Sequence, residues 1–171
     1  MLLPSVTKQQ IEEAQYFAKN TNIQHYLDLG QSEQDARHKI LIGKLGEFSL
    51  YNHYLNFNPF INPPDTTFHQ PTFDADLMIV DIGIAVKTQE LTKTKQYKSW
   101  LFKNNELNHL NHKIIAGLFY EQGGFKLIVL KHFEDIAHAF GTPLARLYTD
   151  THKALYPHYL NQPIDESLFY I

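Results

Sequence analysis

Residues 74–89 read DADLMIVDIGIAVKTQ, and the fold is predicted from this stretch. They predict two short strands, about 76–81 and 83–89, that pair as a hairpin. A lysine inside an apolar strand must lose its hydration or direct its ammonium at an anion, and Lys87 is such a lysine. In a hairpin Asp76 can approach Lys87. The pair would then suit a divalent cation together with a phosphate.

The tight turn of this hairpin is predicted at residues 81–83, where Gly83 follows an aspartate and an isoleucine. Side chains alternate between the two faces of a strand, so the second strand presents two different sets of residues. Ile84, Val86 and Thr88 share one face. Ala85, Lys87 and Gln89 share the other.

The composition limits the class of protein. The chain has 171 residues, of which 43% are hydrophobic and 13% aromatic, so we expect one globular domain with a sizeable core. A net charge of −3 neither indicates nor excludes a nucleic-acid partner, because binding depends on local basic patches. The absence of cysteine excludes disulfides and thiolate metal sites. No apolar run of about 18 residues and no signal-like start are present, so we predict a cytoplasmic protein without membrane association.

Two helices are predicted before the hairpin. The first covers residues 7–20, with Thr7 as N-cap and Gln10 placed for a capping box. The second runs from Ser32 to about residue 55 and contains Gly43 and Gly46. Each glycine lowers helix propensity by about 1 kcal/mol, which predicts that the helix closely approaches a sheet or a ligand. Residues 56–73 contain four prolines and predict a long binding loop.

The segment after the hairpin predicts a mixture of strands and helices. It gives strands at 113–120 and 125–130 and helices at 104–110, 133–140 and 144–155. The fold class is therefore α/β, of the α+β kind. We expect a single domain over 1–171, with a helical N-terminal part (1–55), a core (about 40–135) and a C-terminal helical extension (136–171).

Glu47 on the second helix, Asp76 and Lys87 form the candidate site. Phosphodiester hydrolysis needs a metal that polarises the phosphate, a deprotonated water and a group that stabilises added negative charge. Carboxylates supply hard oxygen ligands for Mg²⁺, and a lysine can position the water. One alternative is a hairpin with a surface aspartate and a surface lysine. Another is an interaction protein in which Asp76 and Lys87 form a salt bridge.

Several segments together resemble the PD-(D/E)xK nuclease superfamily, over about residues 40–135. They are GKLGEFSLYNHYL, DADLMIVD, IAVKTQ, SWLFK, KIIAGLFY and FKLIVL. The resemblance implies an α-β-β-β-α-β, restriction-endonuclease-like core with a central mixed sheet flanked by helices. It also implies that Asp76 binds Mg²⁺ (or Mn²⁺), that Lys87 is the catalytic lysine and that Glu47 is an accessory acid that also binds the metal.

Ala85 departs from the pattern, because the superfamily carries its second carboxylate two residues before the lysine. Three explanations are open. The first, which we favour, is that Ala85 replaces a native glutamate and inactivates the enzyme. The second is that the acid has migrated, with Glu47, Asp74 or Glu90 in its place. The third is that the chain binds DNA without cutting it.

The resemblance favours a Type II restriction endonuclease that cuts double-stranded DNA as a homodimer. Basic and aromatic residues after the hairpin are candidates for phosphate contact and base stacking. They are Lys93, Lys95, Tyr97, Lys98, Trp100 and Lys103. The alternatives are a structure-specific repair or phage nuclease, such as a Holliday-junction resolvase, and a catalytically dead DNA-binding module.

Overall fold

The computed structural model of the chain describes residues 1–67, 75–92 and 98–171. It has an α+β architecture, in which a mixed four-stranded sheet is flanked by helices. The helices are α1 (Lys8–Asn20), α2 (Gln24–Asp28), α3 (Glu33–Tyr54), α4 (Asn104–Leu107) and α5 (Phe133–Ile136). The strands are β1 (Leu77–Ile79), β2 (Ile82–Glu90), β3 (Trp100–Lys103), β4 (Ile114–Glu121), β5 (Gly124–His132), β6 (Phe140–Gly141) and β7 (His152–Leu155). In the described ranges, no helix is long and apolar enough to cross a membrane.

The first long helices begin at the predicted caps. The Thr7 hydroxyl accepts a hydrogen bond from the Gln10 amide at 3.2 Å, and the Gln10 side chain accepts one from the Thr7 amide at 2.9 Å. This reciprocal pair is the predicted capping box. The Ser32 hydroxyl accepts a bond from the Asp35 amide at 3.1 Å and caps α3. The predicted bounds of both helices are therefore correct to within one residue.

The main sheet has the strand order β1-β2-β4-β5. Strands β1 and β2 pair antiparallel, as predicted, with Leu77 opposite Ile84. Strand β4 lies parallel to β2, and β5 returns antiparallel to β4. The sheet is mixed because the segment between β2 and β4 crosses over before it re-enters.

The hairpin turn differs from the prediction at residues 81–83. The chain reverses at Val80 and Asp81, and Gly83 already lies inside β2. Val80 adopts a positive φ of 51°, which is the conformation that a two-residue hairpin turn requires. A Cβ at Gly83 would lie 2.7 Å from the Ala75 Cβ, so this glycine serves close packing instead of the turn.

The C-terminal region corrects a second prediction, the helical extension over 136–171. It contains β6, β7 and four short 3-10 helices (Ala137–Ala139, Arg146–Tyr148, Pro157–Tyr159 and Glu166–Phe169). The predicted helix at 144–155 is wrong, because β7 pairs antiparallel with β3 and β6 in a second, three-stranded sheet. Ala154 and Leu155 are fully buried there. Pairing with a distant strand outweighs local helical periodicity in this region.

Two hydrophobic cores lie on the two faces of the main sheet, as the alternation along β2 predicts. Ile84 and Val86 belong to the core beneath α3. Ala85 belongs to the core between the main sheet and the second sheet. Lys87 follows Ala85 on that second face, where its ammonium lies over the Phe102 ring.

Gly46 sets the distance between α3 and the sheet. A Cβ at this position would lie 2.3 Å from the Thr88 hydroxyl oxygen, so only glycine lets α3 approach β2 this closely. The predicted close approach is therefore confirmed for Gly46. It does not apply to Gly43, where a Cβ would meet nothing within 4 Å. Gly46 places the next residue, Glu47, beside the sheet.

Candidate functional site

Glu47 lies buried on α3 and is paired with a lysine one helical turn earlier. Lys44 Nζ donates to Glu47 Oε2 at 2.5 Å and to the Asp65 carbonyl at 2.9 Å. Both side chains of the pair are about nine-tenths buried. Lys44 was not predicted as a site residue. A signal for it exists in the sequence, namely a lysine and a glutamate three residues apart on one helix face.

Asp76 directly precedes β1 and is held by the neighbouring strand. Its Oδ2 accepts a hydrogen bond from the Val86 amide at 2.7 Å, and its own amide donates to the Ile84 carbonyl at 3.0 Å. The backbone of β2 therefore fixes the carboxylate of Asp76 at the start of the hairpin. The pairing of β1 with β2, which the sequence predicts, is therefore enough to position this carboxylate.

The two carboxylates lie in a region that disfavours negative charge. Burial and, after it, the charge of Asp76 raise the pKa of Glu47 to about 8, against the opposing effect of Lys44 and Lys87. Burial also raises the pKa of Asp76, while Lys87, the Val86 amide and Lys44 lower it. Glu47, Asp76 and Lys87 thus act on one another electrostatically, as expected for the members of one site.

Lys87 makes its direct ion pair with a residue that the sequence did not indicate. Its Nζ lies 2.6 Å from Glu106 Oε1 and 5.0 Å from the centroid of the Phe102 ring. The alternative of a direct Asp76–Lys87 salt bridge is therefore wrong. Glu106 lies on α4, 19 positions further along the chain, and no local pattern connects it to β2.

Position 85 is part of the second core. Ala85 is 5% exposed and clusters with Trp100, Phe102 and Leu110. Its side chain shares a strand face with Lys87, as predicted. An alanine satisfies this apolar position, whereas a carboxylate there would need a lysine or a metal as partner.

The other acids considered for a migrated carboxylate differ in position. Glu90 lies at the far end of β2, where its Oε2 is 2.9 Å from His38 Nε2. Asp74 lies outside the described residues. Among the described acids, Glu47 lies in the electrostatic field of Asp76, and Glu106 also raises the pKa of Asp76.

The residues proposed to contact DNA fall into three groups. Lys98 and Lys103 are exposed. Trp100 is a correction, because it is 2% exposed, stacks on Phe119 at 4.9 Å and donates to the Leu118 carbonyl at 2.9 Å. Its indole is a core residue and is not free to stack on a base. Lys93, Lys95 and Tyr97 lie outside the described residues.

The capacity of the site to bind a metal ion depends on how many oxygen and nitrogen donors its side chains bring together. In the part of the chain that the structure describes, no group of three or more His, Asp or Glu side chains could hold a metal. Glu47 and Asp76 are a pair of carboxylates, and Mg²⁺ is commonly bound by one or two carboxylates together with water and substrate phosphate. The charge of Asp76 raises the pKa of Glu47, and a cation bound between the two carboxylates would offset this repulsion. Two carboxylates are within the number that Mg²⁺ commonly uses, and position 85 holds an alanine.

A cleft of about 370 Å³ opens beside the carboxyl-terminal half of β2. Its walls come from α2, α3, β2, β3, β7 and the 3-10 helix at Arg146–Tyr148. Lys87 lines it, so the cleft shares one residue with the carboxylate site. No local sequence pattern predicted the cleft, because its walls come from distant parts of the chain.

Comparisons of the chain with protein-family models, with curated proteins and with solved structures gave no match.

Proposed function

We propose that the chain is a metal-dependent DNA endonuclease of the PD-(D/E)xK kind, with Glu47 and Asp76 as ligands of Mg²⁺ or Mn²⁺ and Lys87 as the catalytic lysine. One observation carries the proposal. Three residues from separate segments, selected by their order along the sequence, lie close enough for the charges of Asp76 and Lys87 to alter the pKa of Glu47. Such perturbed, convergent groups are typical of functional sites.

The restriction-endonuclease-like core belongs to the same proposal. The order α3-β1-β2-β3-α4-β4 follows the α-β-β-β-α-β order of the superfamily. Strands β1, β2 and β4 lie side by side in the mixed sheet, which supports the assignment. Strand β3 differs, because it pairs with β7 in the second sheet.

The chain's own residues divide the work of phosphodiester hydrolysis. When bound, the metal would act as a Lewis acid on the phosphate. Glu47 and Asp76 would supply carboxylate oxygens as ligands of the metal, and Lys44 donates a hydrogen bond to Glu47, which favours its ionised form. Lys87 directs an ammonium that can position the attacking water and stabilise negative charge on phosphate oxygens. Glu106 holds this ammonium at 2.6 Å.

The proposed substrate is double-stranded DNA, cut at a specific sequence by a homodimer, as in Type II restriction endonucleases. Lys98 and Lys103 are exposed and therefore accessible to DNA phosphates, and Lys103 lines the same cleft as Lys87. We place the activity in the cytoplasm. A structure-specific nuclease, such as a Holliday-junction resolvase, would use the same chemistry on branched DNA.

The packing of Ala85 favours a second candidate, a DNA-binding module that does not cut. Ala85 fits an apolar core and leaves no polar group unpaired. Under this alternative, alanine is the native residue and the site keeps Asp76 and Lys87 without hydrolysis. This candidate corresponds to the third explanation of Ala85, in which the chain binds DNA without cutting it.

Cleavage and binding assays separate these candidates. We expect slow, Mg²⁺-dependent cutting of plasmid DNA by the native chain, and none by Asp76→Asn. Discrete plasmid fragments would indicate restriction, and cutting of branched DNA alone would indicate a structure-specific nuclease. DNA binding in Ca²⁺ without cleavage in Mg²⁺ or Mn²⁺ would favour the binding module. A chain that neither binds nor cuts any DNA would refute both candidates.

A further inference from the structure

The cleft beside β2 carries an excess of cationic side chains. Lys39, Lys87 and Lys103 line it together with His25 and His152. Among the described residues, its one lining carboxylate is that of Glu90, which lies 2.9 Å from His38. Glu106 neutralises Lys87 from nearby. Lys39 Nζ donates to the side-chain oxygen of Gln31 at 2.5 Å.

The three lysines and His152 come from separate elements and line a common space, in which His152 favours its neutral form. Burial lowers the pKa of His152, and the positive charge of Lys103 lowers it further, with smaller contributions from His25 and Lys87. Glu106 opposes this effect. A lysine-rich space of this kind favours an anionic ligand.

Two tyrosines give the cleft an aromatic wall. Tyr26 on α2 and Tyr148 both line it together with Lys87. Burial raises the pKa of Tyr26, while Lys87 lowers it and Tyr148 raises it. Both tyrosines are partly exposed. A partly exposed tyrosine ring can stack on a nucleic-acid base, and this contact tolerates any base because every base has a π-face.

The size of the cleft limits the ligand. A volume of about 370 Å³ lies near the lower end of small-molecule sites, about 300–1,000 Å³. It suits one planar ring system with an attached sugar and phosphate. It is more than an inorganic phosphate needs.

We propose that this cleft binds one nucleoside monophosphate unit, with its phosphate against Lys103, Lys39 and Lys87 and its base against Tyr26 and Tyr148. The unit is either a free mononucleotide or one residue of a DNA strand. This binding does not require phosphodiester hydrolysis. The binding proposal can therefore be tested independently of the proposed nuclease activity.

The test is calorimetric titration of the full chain in EDTA, where metal-dependent cleavage cannot occur. The probes are dAMP, dTMP, inorganic phosphate and a short single-stranded oligonucleotide. We expect both mononucleotides to bind more tightly than inorganic phosphate. Tighter binding of the oligonucleotide would identify a unit of a DNA strand as the source, and tighter binding of the mononucleotides would identify the free form.

Variants locate the binding. Lys103→Gln and Tyr148→Ala should each weaken dTMP binding about tenfold, the cost of losing one charge-assisted hydrogen bond or one stacking contact. Lys8→Gln removes the same charge from a side chain that is 91% exposed and outside the cleft, so it should leave binding unchanged.

Three results would overturn the proposal. They are no binding of mononucleotides, equal affinity for inorganic phosphate and mononucleotides, and affinities that Lys103→Gln and Tyr148→Ala leave intact. Circular dichroism of each variant confirms that a lost affinity does not come from unfolding. If Tyr148→Ala fails to fold, Tyr148→Phe, which keeps the ring, should bind like the native chain while Lys103→Gln does not.

Discussion

Glu47 has a titration behaviour that can be measured. Its carboxyl titrates near 4.5 in the unfolded chain and at about 8 in the folded chain. Between these values the folded protein keeps a proton that the unfolded chain releases, so stability falls as pH rises through this window. Asp76, whose pKa is also raised, contributes with the same sign.

Glu47→Gln should therefore flatten the dependence of the free energy of unfolding on pH between about 5 and 8. The glutamine cannot ionise, so the variant should gain stability relative to the native chain as pH rises. Urea unfolding at several pH values measures this. Glu12→Gln, in an exposed ion pair, is the control and should keep the native slope. Identical slopes for Glu47→Gln and the native chain would contradict the assignment.

Mg²⁺ should act on the same residue. A cation held by Glu47 and Asp76 binds the folded state alone, so adding MgCl₂ at pH 8 should raise the melting temperature of the native chain. Glu47→Gln loses one ligand and should show a smaller rise. An equal rise for both proteins would show that Mg²⁺ binds elsewhere.

The Lys87–Glu106 pair predicts an energetic coupling between two segments. The side chains are 29% and 18% exposed, and their oxygen–nitrogen distance is 2.6 Å. We expect a coupling free energy of about 1 kcal/mol between Lys87→Met and Glu106→Gln in a double-mutant cycle, since partly buried pairs exceed surface pairs. Urea unfolding of the four proteins measures it. A coupling of zero would mean that Glu106 does not hold Lys87.

At the scale of elements, Gly46 and Gly43 form a matched pair on α3. Gly46→Ala would place a Cβ 2.3 Å from the Thr88 hydroxyl and 3.1 Å from Leu118 Cδ1. It should destabilise the chain by about 1–3 kcal/mol through overpacking. Gly43→Ala meets nothing within 4 Å and should stabilise the helix by about 0.5–1 kcal/mol. Thermal melts of both variants test this, and equal effects of the two alanines would contradict the close approach of α3 to β2.

The sequence predicted those elements whose signals are local. The caps at Thr7 and Ser32 involve residues three apart, and the β1–β2 hairpin joins adjacent segments. Strand β7 could not be found in this way, because its partner β3 lies about 50 positions earlier. Trp100 was misassigned because lysines surround it. The alternation of buried and exposed residues in Trp100–Lys103 is a strand signal that places the indole inside.

At the scale of the whole molecule, the sequence predicted the site only in part. Glu47, Asp76 and Lys87 were selected by their order, and in the fold the charges of Asp76 and Lys87 act on Glu47. Lys44 and Glu106, which balance their charges, were missed. The position of Glu106 beside Lys87 depends on the crossover that brings α4 back to β2. The cleft depends in addition on β7, so no pattern within one segment could reveal it.

The central claim is that Glu47, Asp76 and Lys87 form a nuclease site that an acid at position 85 completes. Position 85 shares its strand face with Lys87, so a carboxylate there would extend toward the same space. It also lies in an apolar core, so a polar side chain costs stability. Ala85→Gln has the size of Ala85→Glu without the charge and controls for that cost.

Mg²⁺-dependent cleavage of supercoiled plasmid by Ala85→Glu therefore tests the account most directly. We predict cleavage at least about tenfold faster than that of the native chain, in line with about 1.4 kcal/mol or more of added transition-state stabilisation. Ala85→Gln should show no gain, and Ala85→Glu combined with Asp76→Asn should not cut. No Mg²⁺-dependent cleavage by a folded Ala85→Glu, or equal cutting after Asp76→Asn, would contradict the account.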